Sequence, residues 1–376
     1  MTDGFARVAD DLAQGPPSGI SPEPGDTPGG RMSQSVSSSA GSTAGSSAAS
    51  GQPQRHRMVD TPGGRIHLVE QGTGPLVLMV HGFPESWYSW RHQLPVIAAA
   101  GYHAVAIDVR GYGRSSKPTA QEAYGMLGHV ADNVAVVKAL GAESAVVVGH
   151  DWGSPIAANT ALLRPDLFTA VALLSVPYSP RGAARPTDSF AGGGGGDEFY
   201  IHYFQQPGRA EAEIEPDVRS WLAGFYAGAS GDAKPSADGP RFFVPPGGRL
   251  CDRFPRGPLP PWLSEEDLDF YAGEFERGGL TGPLNRYRNI DRDWADLAAW
   301  DGAPITQPSL FIGGEHDGPT VWMADAIKAY PTTLPRLVSC HILDGCGHWV
   351  QQERPDEVGS LLVDWLRALP GGPGRP

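Results

Sequence analysis

Asp151, Asp317 and His348 are the residues whose types and placement could do chemistry. Asp151 stands in Val146–Val147–Val148–Gly149–His150–Asp151–Trp152–Gly153–Ser154, where a β-branched run stops at a glycine and Pro155–Leu163 can continue as a helix. This is the G-x-S-x-G spacing of a nucleophile elbow with aspartate in the serine position. The glycines two before and two after let strand and helix approach closely around a strained turn. Standing alone, the motif is matched as well by an aspartate that caps a helix. A carboxylate is already ionised at neutral pH and needs no base for its attack. Attack on an acyl carbon would give an energetic mixed anhydride, whereas attack on a tetrahedral carbon bearing a leaving group gives an ordinary ester. His348, oriented by Asp317, could then activate water against that ester. Epoxides and alkyl halides are the electrophiles this chemistry implies.

The supporting groups lie at other strand ends. Asp317 sits in Gly314–Glu315–His316–Asp317–Gly318 and His348 in Gly345–Cys346–Gly347–His348–Trp349, each just past a predicted strand. Taken singly, Asp317 reads as well as a turn residue and His348 as a packed histidine; their order after Asp151 is what makes a triad. The position after Ala170–Leu174 holds Ser175–Val176–Pro177–Tyr178 and offers no competing carboxylate, so Glu315 is the nearest substitute for Asp317. His81–Gly82–Phe83–Pro84 follows another strand, and the backbone N–H groups of Phe83 and Trp152 could form an oxyanion hole. His150 reads as a packing residue.

Positioning these groups requires a sheet. Leu76–Val80, His103–Asp108, Val146–Val148, Ala170–Leu174 and Ser309–Gly314 are apolar runs of the kind buried on both faces, and helical patterns fall between them. Arg65–Glu70 alternates like a half-buried strand, Cys340–Leu343 reads as the last strand, and helices are expected over about 87–100, 127–140 and 355–369. The pattern predicts a mostly parallel doubly wound sheet, and the order nucleophile, acid, base along it matches that of the α/β-hydrolase fold. From Pro177 to about Ala303 the strand pattern stops, and Pro-rich loops alternate with helical pieces rich in Trp and Tyr. An inserted helical cap over the carboxyl ends of the strands is expected there. The division is 1–55 as a low-complexity extension, 56–177 and 304–376 as the two parts of the core, and 178–303 as the cap. The extension is Ser-, Gly- and Ala-rich with Phe5 as its only aromatic, too few apolar groups to offset backbone entropy. Its Asp26–Thr27–Pro28–Gly29–Gly30–Arg31 recurs as Asp60–Thr61–Pro62–Gly63–Gly64–Arg65.

The 376 residues carry a formal net charge of −13 with no basic stripe, which argues against nucleic-acid or anionic-membrane partners. No apolar run approaches a membrane span, and the acidic first residues lack a secretory core. Cys251, Cys340 and Cys346 have no framework spacing, so reduced thiols and a cytoplasmic location are expected.

The motifs resemble those of soluble epoxide hydrolases of the α/β-hydrolase superfamily. His81–Gly82–Phe83–Pro84–Glu85–Ser86–Trp87–Tyr88–Ser89–Trp90–Arg91 is similar to that family's oxyanion segment, and Gly149–His150–Asp151–Trp152–Gly153 to its elbow. Tyr200–Ile201–His202–Tyr203–Phe204–Gln205–Gln206–Pro207–Gly208 and Gly282–Pro283–Leu284–Asn285–Arg286–Tyr287–Arg288–Asn289 resemble the segments carrying its ring-opening tyrosines. The resemblance covers about 58–369. It implies hydrolysis of epoxides to vicinal diols, ring-opening roles for Tyr200 and Tyr287, and substrate contacts at His81, Pro84 and Trp152. It implies no cofactor and no metal. The partners expected are a small-molecule epoxide and a second copy of the chain in a homodimer. Three departures are Ser154, Gln206 and the Gly192–Gly196 loop. A haloalkane dehalogenase, which shares the Asp, the His and the Trp after the nucleophile, is the alternative reading. A non-catalytic receptor on the same fold is a further one, favoured only by a broken triad.

Overall fold

The computed structural model describes residues 53–190, 196–236 and 239–370. The extension as far as residue 52, with the first Asp-Thr-Pro-Gly-Gly-Arg copy, and all but the last residue of the Gly192–Gly196 loop lie outside the described residues. The strands among them are β1 (Arg55–Thr61), β2 (Gly64–Gln71), β3 (Leu76–Val80), β4 (His103–Ile107), β5 (Ala145–His150), β6 (Phe168–Leu174), β7 (Glu198–Phe199), β8 (Phe243–Val244), β9 (Ser309–Gly314) and β10 (Leu337–Leu343). Eight of them form one sheet in the order β1-β2-β4-β3-β5-β6-β9-β10, and β7 and β8 form a separate two-stranded ladder. In the large sheet, β2 is antiparallel to β1 and β4, and every other pair is parallel.

The two faces of β5 show why its run is continuous rather than alternating. Val146 and Val148 pack with Leu94, Ile97, Leu362 and Leu366 of helices Gln93–Ala99 and Pro355–Ala368 on one face. Val147 packs with Val136, Val137, Ile156 and Ala161 of helices Met126–Ala139 and Gly153–Leu163 on the other. Helices on both faces leave no polar side for the central strands. Each buried Val or Leu there contributes about 1.5–3 kcal/mol of transfer free energy.

The structure differs from expectation at several element ends. The second Asp-Thr-Pro-Gly-Gly-Arg copy is a hairpin turn: Asp60 pairs with Arg65 and Thr61 with Gly64, which adds β1 ahead of the first expected strand. The helix expected over 87–100 is split into a 3₁₀ turn at Trp87–Trp90 and a helix at Gln93–Ala99. Ser86 caps the first piece through its side chain. Pro95, lacking an N–H, sits in the first turn of the second, where no donor is needed. β10 begins at Leu337, three residues earlier than expected, because its outer face is exposed and its polar residues mask the pattern.

Residues 178–303 enter after β6 and leave before β9, which are adjacent in the sheet. They contribute no strand to the large sheet, and their longest helices are Val218–Gly228 and Glu265–Gly278. The second of these starts with a reciprocal capping box between Ser264 and Asp267.

Candidate active site

The loops after β3, β5, β9 and β10 meet at the carboxyl ends of their strands. Asp151 directly follows β5 with φ 49°, a left-handed conformation that a non-glycine residue holds only under constraint. A Cβ on Gly149 would lie 2.0 Å from the carbonyl oxygen of Gly153, and one on Gly153 would lie 2.0 Å from that of Val80. Any side chain at either place would therefore force strand and helix apart. Ser154 turns away from the site, its hydroxyl donating to the Val176 carbonyl at 2.6 Å. It ties the elbow helix to the loop after β6, which accounts for the first of the three departures. Gln206, the second, is exposed.

One Asp151 oxygen, Oδ1, accepts the Phe83 backbone N–H at 2.7 Å. The other, Oδ2, lies 3.3 Å from His348 Nε2. His348 Nδ1 is 2.7 Å from Asp317 Oδ1. Asp317 is fully buried, and its Oδ2 accepts from the Thr320 hydroxyl at 2.7 Å. The three groups thus form one hydrogen-bonded line. Glu315 is outside it: the carboxylate is exposed and accepts the Gly345 N–H. Both ring nitrogens of His348 face carboxylates, which when ionised can only accept, so the arrangement favours the doubly protonated imidazolium. Burial works against that charge, but Asp317 and Asp151 together hold the imidazolium well above the ordinary value of 6.5.

Two tyrosines close the site from the cap side. Tyr200 opens the short helix Tyr200–Tyr203, and its backbone N–H is held by the Phe242 carbonyl beside the β7–β8 ladder. Tyr287 ends helix Thr281–Tyr287. Their ring centroids are 6.1 Å apart. The two segments are tied together, since Gln205 donates to the Tyr287 carbonyl at 3.0 Å and Arg288 to the Phe204 carbonyl at 3.0 Å. Arg288 is itself paired with Glu211 at 2.9 Å. Burial first, and then the nearby negative charge of Asp151, push the Tyr200 phenol up. Tyr287 is raised well above its ordinary range by burial, by Tyr200 and by Asp151. Both remain donors at any working pH. Tyr203, three residues on, points elsewhere and donates to Glu213.

The remaining residues implied by the resemblance fall into two groups. Trp152 meets the Tyr287 ring edge-on at 5.1 Å, beside the site. His81 is buried, and both its nitrogens serve the backbone: Nε2 accepts the Val109 N–H at 3.0 Å and Nδ1 donates to the Gly82 carbonyl at 2.8 Å. It has no nitrogen left for a substrate. Pro84 is buried as well, and its carbonyl accepts the Tyr226 hydroxyl at 2.6 Å.

His150, read from the sequence as packing, has a polar task instead. Its Nε2 donates to the His348 carbonyl at 2.8 Å and its Nδ1 to Glu85 at 2.7 Å. Glu85 also accepts from the Gly82 N–H, Gln351 and Gln352. Burial alone would raise Glu85, but the charge and hydrogen bond of His150 pull it down to about 2. Spacing along the chain held no signal for this link, because residues 85, 150 and 348 meet only in the fold. Removing one charge of a buried pair leaves the other uncompensated, at a cost of about 3–5 kcal/mol. Glu85→Gln should lower unfolding free energy by that order in urea titrations; a loss below about 1 kcal/mol would mean the pair does not hold the His348 backbone.

Residues 75–229 match a family model described as the alpha/beta hydrolase fold. Epoxide hydrolase B of Mycobacterium tuberculosis (strain ATCC 25618 / H37Rv) is 44% identical over 354 residues, covering 84% of this chain and 99% of that protein. Epoxide hydrolase A of the same organism is 45% identical over 317 residues, covering 83% and 97%. Among solved structures, an epoxide hydrolase from an endophytic Streptomyces shares 75% identity with a TM-score of 0.82, covering 83% of this chain and 95% of that one. Epoxide hydrolase A from Mycobacterium thermoresistibile shares 45% identity with a TM-score of 0.79, covering 85% and 99%.

Proposed function

The chain belongs to the epoxide hydrolase family of the α/β-hydrolase fold, which converts epoxides to vicinal diols through a covalent aspartyl ester, and on that premise we propose how its own residues divide the work. Asp151 is the nucleophile. Its Oδ1 is held by the Phe83 N–H, and Oδ2, which faces His348, is the oxygen that attacks the epoxide carbon. Tyr200 and Tyr287 donate to the departing ring oxygen and leave an alkyl ester on Oδ2. Esterification removes the negative charge of Asp151 from beside His348, so the imidazolium releases its proton to solvent, which makes good the proton that the phenols passed to the ring oxygen, and the neutral ring can take one from water. Water adds to the Asp151 carboxyl carbon, the developing oxyanion stays on Oδ1 with Phe83 and Trp152 as donors, and collapse breaks the bond from that carbon to the original Oδ2, which leaves with the diol and takes the proton that His348 removed from water. The line from Asp317 through His348 to Asp151 is the observation that carries this reading.

A single turnover in ¹⁸O-water tests it. The label should appear first in the peptide bearing Asp151 and not in the diol. Label in the first diol instead would favour direct attack by water.

The charge argument also sets a pH dependence. In the free enzyme the raised His348 value keeps the ring charged as pH climbs past 6.5. In the alkyl-enzyme one of the two carboxylates that raise it is gone, and its value falls. Ester hydrolysis should therefore rise with pH through a transition lying below the pH at which the free enzyme's His348 loses its proton. Single-turnover rates for the two steps, measured separately across pH, check this; coincident transitions would contradict it.

The substrate is a small molecule, and among the described residues no helix is long and apolar enough to cross a membrane. Three unpaired cysteines support a cytoplasmic location. A second copy of the chain is supported by the free edge of β10, which exposes Val338 and Ile342.

A further inference from the structure

Arg286 precedes Tyr287 and takes no part in the steps above, yet it is almost fully buried between cap and core. Its guanidinium carbon lies 4.8 Å over the centroid of the Trp152 ring. Nη1 donates to the Tyr124 carbonyl, and Nη2 is paired with Asp293. The other Asp293 oxygen accepts the Met126 N–H at 2.6 Å, at the start of a core helix. Nε has no hydrogen-bond partner among the described residues, so the indole face is a principal neighbour of the charge. Trp152 then meets Tyr287 edge-on at 5.1 Å, and Tyr287 meets Tyr200 at 6.1 Å. Guanidinium, indole and the two phenols form one continuous row.

We propose that Arg286 is a positioning residue for ring opening. Clamped by Asp293 and the Tyr124 carbonyl, it holds its cation on the face of Trp152 and so sets the indole against which Tyr287 is placed. Its positive charge also lies on the side of the site to which negative charge moves as the ring opens. The carboxylate loses charge, the epoxide oxygen gains it, and the tyrosine proton compensates.

The inference rests on the assignment of Tyr200 and Tyr287 as ring openers, so the test must separate the two. Arg286→Gln leaves Asp293 unpaired and Asp293→Asn leaves Arg286 unpaired, so each should destabilise the fold in urea titrations. The double variant removes both charges and should recover much of that loss. Rapid-quench single turnovers of styrene oxide, used as the probe, read ester formation and ester hydrolysis separately. Arg286→Gln should slow ester formation tenfold or more while hydrolysis stays within about threefold. The double variant should remain slow although its stability returns. Asp293→Asn loosens the clamp but keeps the cation, so it should slow ester formation less than Arg286→Gln does, and Arg286→Lys should retain most of the wild-type rate. Recovery of rate together with stability in the double variant, or equal slowing of both steps in Arg286→Gln, would reduce Arg286 to a structural ion pair and overturn the proposal. Should Arg286→Gln not fold, the double variant and Arg286→Lys carry the same comparison. A parallel Tyr287→Phe measurement stands apart: normal ester formation there would remove the tyrosine assignment itself, whatever Arg286 does.

Discussion

His348→Gln should stop the enzyme after its first chemical step and leave the substrate's mass on the peptide bearing Asp151. In the proposed mechanism the nucleophile is a carboxylate held on the Phe83 N–H, and neither feature depends on His348. Ester formation should therefore survive, slowed mainly by the altered hydrogen bond at Oδ2. Hydrolysis should not, because glutamine cannot take a proton from water. Losing a positioned general base costs roughly a hundred- to ten-thousand-fold, and the step affected becomes rate-limiting. Steady-state turnover should fall by about that factor, with intact-protein mass spectrometry showing nearly stoichiometric adduct. Asp317→Asn gives a milder form of the result, since it removes the carboxylate that orients His348 Nδ1 and leaves Asp151 in place. If His348→Gln accumulates no adduct while still binding substrate, Asp151 is not the nucleophile.

The second large effect is expected from the phenols. An epoxide opened by Asp151 releases an alkoxide, a poor leaving group without a donor. Both phenols are buried and raised, so both stay protonated and able to donate at neutral pH and above it. General-acid assistance is worth roughly a hundred- to ten-thousand-fold. Single Tyr200→Phe and Tyr287→Phe changes should each slow ester formation by part of that factor. The double change should nearly abolish it, with ester hydrolysis much less affected. Folding should be preserved, because each change removes a hydroxyl and leaves the ring contacts with Phe204 and Trp152. Rapid-quench kinetics separate the steps. Near-normal ester formation in the double variant would make both residues packing groups.

How much of this was legible in the chain depended on whether a feature is local. The elbow is largely local: its strand, its two glycines and its helix lie within residues 145–163, and the contact that excludes a Cβ at Gly149 is with nearby Gly153, although Gly153 in turn packs against Val80 of a distant strand. The buried strand runs are local in the same sense, since a strand covered on both faces must be apolar throughout. Fold class and the order Asp151, Asp317, His348 could therefore be read from residue types and spacing, and the family from the resemblance of local motifs. The cap motifs selected Tyr200 over Tyr203, and the structure turns only the second towards Glu213.

What only the tertiary structure decided are the pairings between distant segments. The Glu85–His150 link to the His348 carbonyl spans 65 and 198 residues and sits in positions that read equally well as packing. The occupation of both His81 nitrogens by backbone groups is equally invisible in a motif. Arg286 resembles any charged residue on a helix until the fold buries it and lays it over Trp152. The hairpin at Asp60–Arg65 became a turn because β2 had a neighbour to pair with, which a repeated hexapeptide does not announce. Hydrophobic periodicity and turn chemistry are properties of a few consecutive residues, so they are written in order along the chain. Hydrogen-bond partners and buried charges are properties of places where unrelated segments converge, and those places exist only once the sheet has brought its carboxyl ends together.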